Sequence, residues 1–531
     1  MNLIDDPWIP VCRYDGSQEY IAPWQLTNQH STNPVVTIHT TRSDFDSALM
    51  QFLIGLVQTT ALSEMEEDWD WECLFFEPPE PEALQAQFAA LAYAFELDGD
   101  GPRFMQDFHL PEGETKEIAT LLIEAPGDNS LRNNLDHFVK RGQVKGMCLS
   151  CTATALFTLQ TNAPAGGVGH RTSLRGGGPL TTLVRCDPRG TEDDVGATLW
   201  RDIWLNVLDP DRFLHSSGNV SKNQPQDIFP WLAPTRTSEK GGRDTTPDDV
   251  HPAQMFWAMP RRIRLDFEHV RSGHCDICGL PSDALVTQFV TKNYGVNYVG
   301  PWLHPLTPHT FDKQKMPLPR HARPGGLGYR HWLGLVHAER DDTRMPARVV
   351  QAYANRQRKA QLRLHAFGYD MDNMKARCWY ESHMPLYQLD NGLRREFEST
   401  VSTLVNAAET VRVYLVGGIK DAWFGKNDPG RRHDMSFISQ AFWQNTEGEF
   451  YAALQYYAEA LQKGEEGLEA SLLVRQQWHN TLRRQALAFF DQWANSEAVA
   501  YENPRRIATA HNQLQKNLYG PKLCKTILNI R

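Results

Sequence analysis

The chain has 531 residues, 41% of them hydrophobic and 22% charged, with a formal net charge of -10. That length accommodates two or three domains with sizeable cores, and the composition excludes a disordered or fibrous chain. The acidic balance excludes a protein that coats nucleic acid over its whole surface, while leaving room for a local basic track.

The opening MNLIDDPWIPV carries acids where a secretion signal carries basic residues, so a cytoplasmic protein is expected. The most apolar run, SALMQFLIGLVQTTAL, is short and interrupted by Gln51 and Gln58, which predicts a buried helix and no membrane partner. Fifteen tryptophans point to broad packed surfaces, contacts with other subunits included. To about residue 385, β-rich runs such as TTLVRC, RRIRLDF and ALVTQFV alternate with helical stretches and Gly/Pro turns. Residues 209 to 250 are polar and read as a mobile surface loop. Basic tracks recur at Arg261, Arg262 and Arg264, at Arg320, His321, Arg323 and Arg330, and at Arg356, Arg358, Lys359 and Arg363. Each is a solvated face or a path for phosphates.

Two CxxC pairs stand out, Cys148 with Cys151 and Cys275 with Cys278. In a reducing compartment such pairs suggest metal before disulfide, and four thiolates close the shell of a tetrahedral zinc. The site is then structural, stapling the strand before a glycine-dense loop to a distant hairpin, with His274 as neighbour or spare ligand. Two unrelated cysteine pairs, or a redox pair, are the alternatives.

That loop, AGGVGHRTSLRGGGPL, spans residues 165 to 180. Glycines let a backbone approach another surface closely, and His170, Arg171 and Arg175 are placed to hold phosphates beside it. The shape suits the DNA minor groove, about 6 Å wide. It equally suits a connector whose glycines serve only tight turns.

From about residue 388 apolar residues recur every three or four positions. Leu393, Phe397, Val401, Leu404, Ala408, Val411 and Leu415 form one helical face, and three further stripes run around Phe450, Trp478 and Leu514. Short polar linkers separate them, which predicts an up-and-down four-helix bundle. The expected fold is α+β: a large mixed α/β domain with a structural zinc site over residues 1–385, then a four-helix bundle over 386–531. Nucleotide P-loop, HExxH, GxSxG and zinc-deaminase patterns are absent. His365, Asp370, Asp372 and His383 lie close in sequence, but nothing in their spacing fixes them on one face. No catalytic residue is expected.

The opening MNLIDDPWIPV, the block CLSCTATALFTLQTNAPAGGVGHRTSLRGGGPLTTLVR, the runs YGVNYVGPWLHPLTPH and GYDMDNMKARCW, and the closing bundle together resemble the CasA family, the large subunit of the type I-E CRISPR Cascade surveillance complex. The resemblance implies a non-catalytic, antiviral role. Such a subunit reads the PAM beside a DNA target, helps open the duplex, stabilises the displaced strand and receives a helicase-nuclease. Its implied partners are the other Cascade subunits, the 5′ handle of the guide RNA and target double-stranded DNA. The family's minor-groove loop falls on Ala165, Gly166, Gly167, Val168 and Gly169, beside Arg171, with more glycine expected than Ala165 and Val168 supply. A second groove contact falls on Lys292 or Asn293. The strand-parting wedge falls on Asn373, flanked by Asp372, Met374 and Lys375. The guide-RNA docking loop falls on residues 129–146, with Phe138 as the aromatic contact beside Val139, Lys140 and Arg141. A zinc-containing nucleic-acid enzyme acting alone and a purely structural scaffold are the competing functions.

Overall fold

Phe52, midway along the buried helix Ser43–Thr60, is the hub of the N-terminal core. Trp8, Phe95, Phe104, Phe157 and Trp257 meet its ring edge-on, with centroids 5.2 to 5.9 Å away. Contacts of this geometry each add about 0.5–1.5 kcal/mol beyond area burial. The two glutamines that interrupt the apolar run are satisfied inside. Gln58 exchanges hydrogen bonds with the Leu208 backbone at 2.7 and 3.0 Å, and Gln51 accepts from Arg175 at 2.6 Å. Trp8, Trp71, Trp200, Trp204, Trp231, Trp257, Trp332 and Trp478 are all under 2% exposed, so these eight build cores rather than subunit contacts.

The structure is a computed structural model. It describes every residue except 61–67, 111, 128–130, 134–141, 168, 189–195, 338–343, 355–360, 373–374, 426, 465–466, 495–502 and 531. The chain divides into two units, Met1–Gly326 with His337–His383, and Leu327–Val336 with Met384–Arg531. The second unit thus takes in a segment that the sequence pattern assigns to the first. Tyr329 explains it: its ring stacks on Phe450 at 4.3 Å and its hydroxyl lies 2.9 Å from Thr446 Oγ1.

The first unit is mixed α/β. Among the described residues its strands form small sheets, of which three bear on function. Thr181–Cys186 pairs with Leu362–Asp372, which neighbours Lys375–Leu386. Arg262–Leu265 and Glu114–Glu117 flank Gln288–Lys292. Arg271–His274 and Pro281–Leu285 form a two-stranded hairpin. The polar stretch 209–250 is not the mobile loop its composition suggests. Phe213, Phe229 and Trp231 are buried, and a short helical turn begins where Asp209 accepts the Arg212 N–H group.

The second unit contains the helices Asn391–Trp423, Ser436–Gln462, Gly467–Ala494 and Pro504–Leu518. Phe397, Val401, Leu404, Ala408, Val411 and Leu415 are all buried, as their spacing predicts. Leu393 and Ile507, at the ends of their stripes, are half-buried. No helix among the described residues is long and apolar enough to cross a membrane.

Candidate nucleic-acid interface and metal centre

Cys148 caps the helix Leu149–Asn162, and Cys151 lies in its first turn. Cys275 and Cys278 sit on the turn between Arg271–His274 and Pro281–Leu285. The four Sγ atoms all lie within 4.8 Å of one another. A tetrahedral zinc with bonds of about 2.3 Å has edges of about 3.8 Å. Cys148 and Cys278 are 3.8 Å apart, so this donor set fits such an ion. The turn is shaped for thiolates: Ile277 N–H points at Cys275 Sγ at 3.4 Å. Without an ion the four thiols share protons: hydrogen bonding from Cys148 and Cys151 holds the Cys275 thiol far below its ordinary value, while hydrogen bonding with Cys148, Cys275 and Cys278 pushes the Cys151 thiol far above it. His274 is exposed and outside the cluster. The element stapled to the hairpin is a helix, where the sequence suggested a strand.

Backbone bonds clamp the junction. Met147 and Val286 exchange hydrogen bonds at 3.0 and 2.8 Å, and Asp276 accepts from Lys145 N and Gly146 N at 2.7 and 2.9 Å. The 14-residue helix then runs about 21 Å from the cysteines to the glycine loop. Its middle is fixed by Phe157 against Phe52.

The loop closes on itself, with Gly178 N donating to Asn162 O at 3.1 Å and Ser173 N to Ala163 O at 3.1 Å. Arg261 secures its entry: Gln160 Oε1 accepts the Arg261 N–H at 2.9 Å, and the buried guanidinium donates to Pro164 O. Gly166 and Gly167 are exposed, whereas Ala165 and Gly169 are half-buried. Gly167 has φ +83° with nothing near the place a Cβ would take. Gly169, at φ +78°, is different: a Cβ there would sit 2.9 Å from the Tyr294 ring and 3.0 Å from Asn293 Cβ. Tyr294 N donates to Gly169 O at 2.7 Å, from a left-handed conformation of its own.

The glycine loop and the Lys292–Asn293 segment, far apart in sequence, therefore touch. Lys292 ends its strand exposed, without an ion pair among the described residues. Arg171 reaches across the same junction, donating to Ser238 Oγ at 2.8 Å, while that hydroxyl donates to Gly295 O at 2.8 Å. Arg175 does not hold a phosphate position. It is 4% exposed and donates to Gln51, Thr181 and Thr307, and burial brings its guanidinium down to about 9. Arg262 is likewise taken, by Asp107 at 2.7 Å.

On its far side the loop feeds directly into Thr181–Cys186, whose first residue pairs with Phe367. The hairpin of Leu362–Asp372 and Lys375–Leu386 thus shares a sheet with the loop's exit strand. Asp372 and Lys375 are exposed at its tip. Arg377 braces that tip, bonding the buried Asp370 carboxylate at 2.9 and 3.0 Å and Asp372 at 3.2 Å. These bonds hold the Arg377 guanidinium above its ordinary value. Asn373, Met374, Val168, Phe138, Val139, Lys140 and Arg141 lie outside the described residues. Sequence reasoning missed Tyr294, Ser238 and Arg377. Of these only the Asp370–Arg377 spacing across a short turn carried a signal.

A family model described as CRISPR-associated protein Cse1 matches residues 2–489. Among solved structures, CasA from Thermus thermophilus aligns at 17% identity over 98% of this chain and 99% of that one, with a TM-score of 0.64. Cse1 from Thermobifida fusca aligns at 18% identity over 98% of both chains, with a TM-score of 0.69. A chain of a CRISPR RNA-guided surveillance complex aligns at 18% identity over 98% and 99%, with a TM-score of 0.66. At these identities the alignments speak for the fold.

Proposed function

The chain belongs to the CRISPR-associated Cse1 family, and from that premise we propose that it is the non-catalytic large subunit of an RNA-guided type I-E Cascade complex. In this reading the tip at 165–169 enters the minor groove beside the PAM, and Lys292 or Asn293 supplies the second contact. Arg171 holds the two together. The minor groove distinguishes little beyond A·T from G·C, which suffices when guide pairing reads the remaining sequence. The hairpin carrying Asp372, Asn373 and Lys375 then parts the first base pair and begins the R-loop. Phe138, flanked by Val139 and Lys140, stacks on an unpaired base of the guide's 5′ handle. The C-terminal bundle offers a surface to the helicase-nuclease.

Zinc on Cys148, Cys151, Cys275 and Cys278 would supply cross-linking alone, because four thiolates leave no position for water. It would fix the start of the helix whose end launches the loop.

The observation that carries this reading is the contact of Gly169 with Asn293 and Tyr294. Two segments expected to face one groove are packed together. The test is duplex binding by the assembled complex, with and without this subunit, on targets differing only in the PAM. Discrimination is expected only with the subunit present. Equal discrimination in its absence rejects the proposal.

A further inference from the structure

We propose that His365, Glu381 and His383 form a second divalent-metal site, separate from the cysteines and suited to a first-row transition ion such as Zn²⁺. The three side chains come from neighbouring strands of one sheet, His365 from Leu362–Asp372 and the other two from Lys375–Leu386. Glu381 and His383 are two apart on a strand, so both project from the same face. One nitrogen or oxygen from each of the three lies within 4.8 Å of the others.

The chemistry matches a cation better than it matches an ordinary surface ion pair. Glu381 Oε1 lies 2.8 Å from His365 Nε2 and 3.5 Å from His383 Nε2. The two imidazoles are nearly parallel, with centroids 4.4 Å apart. One carboxylate oxygen thus serves as the meeting point of two rings, where a shared ion would satisfy all three. The His365 side chain is only 6% exposed, and its Nδ1 is buried without a hydrogen-bond partner. Among the described residues Glu381 is therefore the ring's one hydrogen-bond partner, with Nε2 donating to its carboxylate, and an ion would take the place of that proton. Two imidazoles and a carboxylate are an established zinc donor set, with the fourth position left to water. Here Glu381 and His383 are 34% and 38% exposed, which gives an ion entry and water that position. Arg185, on the adjacent strand opposite Arg363, would repel a cation, but Asp202 engages it at 2.7 Å. An ion at this point ties together the two strands of the hairpin that Arg377 braces nearer its tip.

The experiment is Zn²⁺ titration of the metal-stripped full chain by calorimetry, with metal content confirmed after gel filtration. Wild type is compared with E381Q and H383A, both at partly exposed positions, and with C278S. Wild type should take up one equivalent more than E381Q or H383A. C278S should keep that equivalent, which separates this site from the cysteine cluster. Both variants should match the wild-type circular dichroism spectrum without metal. Equal uptake by wild type, E381Q and H383A overturns the proposal. So does loss of the extra equivalent in C278S alone.

Discussion

Replacing Gly167 with alanine isolates the backbone contribution of the loop tip. The residue sits at φ +83° with open space around its missing Cβ, so the substitution creates strain without a collision. An L-residue in that region costs about 1–2 kcal/mol. The exposed tip of the free variant relaxes out of that region, so re-forming the left-handed turn on entering the groove appears as lost affinity, about 5- to 30-fold at 1.4 kcal/mol per factor of ten. G167V adds bulk and should lose more. Gly16 provides a matched control, with φ +84° and equally open surroundings, in the turn between strands Ile9–Arg13 and Gln18–Ile21. G16A carries the same strain away from the proposed groove. The assay is equilibrium binding of a PAM-containing duplex by complexes assembled with each variant, at one fixed salt concentration. G167A should weaken binding within that range while G16A leaves it unchanged. Indistinguishable affinities for the two variants would refute the role given to this tip.

Three further outcomes are expected. C278S should lower metal content by one equivalent and reduce the melting temperature, since structural thiolate sites contribute directly to folding; an unchanged melting curve would show that the cluster carries no stabilising ion. R377A frees the buried Asp370 carboxylate of its partner, so the hairpin should loosen, strand opening at the PAM should slow, and R377K should recover part of the rate; equal opening rates for R377A and wild type contradict the bracing role. N373A should keep PAM affinity while slowing the rise of a base-analogue signal beside the PAM, and an unaltered rise removes Asn373 from the wedge.

The bundle was legible because its signal is local: a 3.6-residue repeat buries one face whatever that face meets. The cysteines were half legible. Spacing within each pair shapes a turn, so the pairing was readable, but whether Cys148 opens a helix or a strand is decided by the packing of residues 149–162 against Phe52 and its neighbours. Composition misled over residues 209–250, where a few anchors, Phe229 and Trp231 among them, outweigh a polar majority. It misled again at Arg175. A guanidinium needs acceptors, and Gln51, Thr181 and Thr307 supply them from distant segments. Glu381 went unread for the same reason, since its partner His365 lies across a sheet rather than along the strand.

The interior use of arginine has a consequence for salt dependence. Arg175, Arg261 and Arg262 are all committed to neighbours inside the fold, and Arg171 is bound to Ser238. Lys292 stands exposed at the loop without such a partner among the described residues. Recognition by this subunit should then rest on shape, with few phosphates neutralised. Each phosphate contact contributes a slope of about -0.9 to log affinity against log salt. K292A should therefore flatten the slope of the assembled complex by about that single increment. G167A should lower the whole line in parallel, since a conformational cost carries no counterions. Measured across a salt series, the two variants separate charge from shape at one site. A G167A line that converges on wild type at high salt would mean that the tip acts by placing charge, and the groove-entry reading would have to give way.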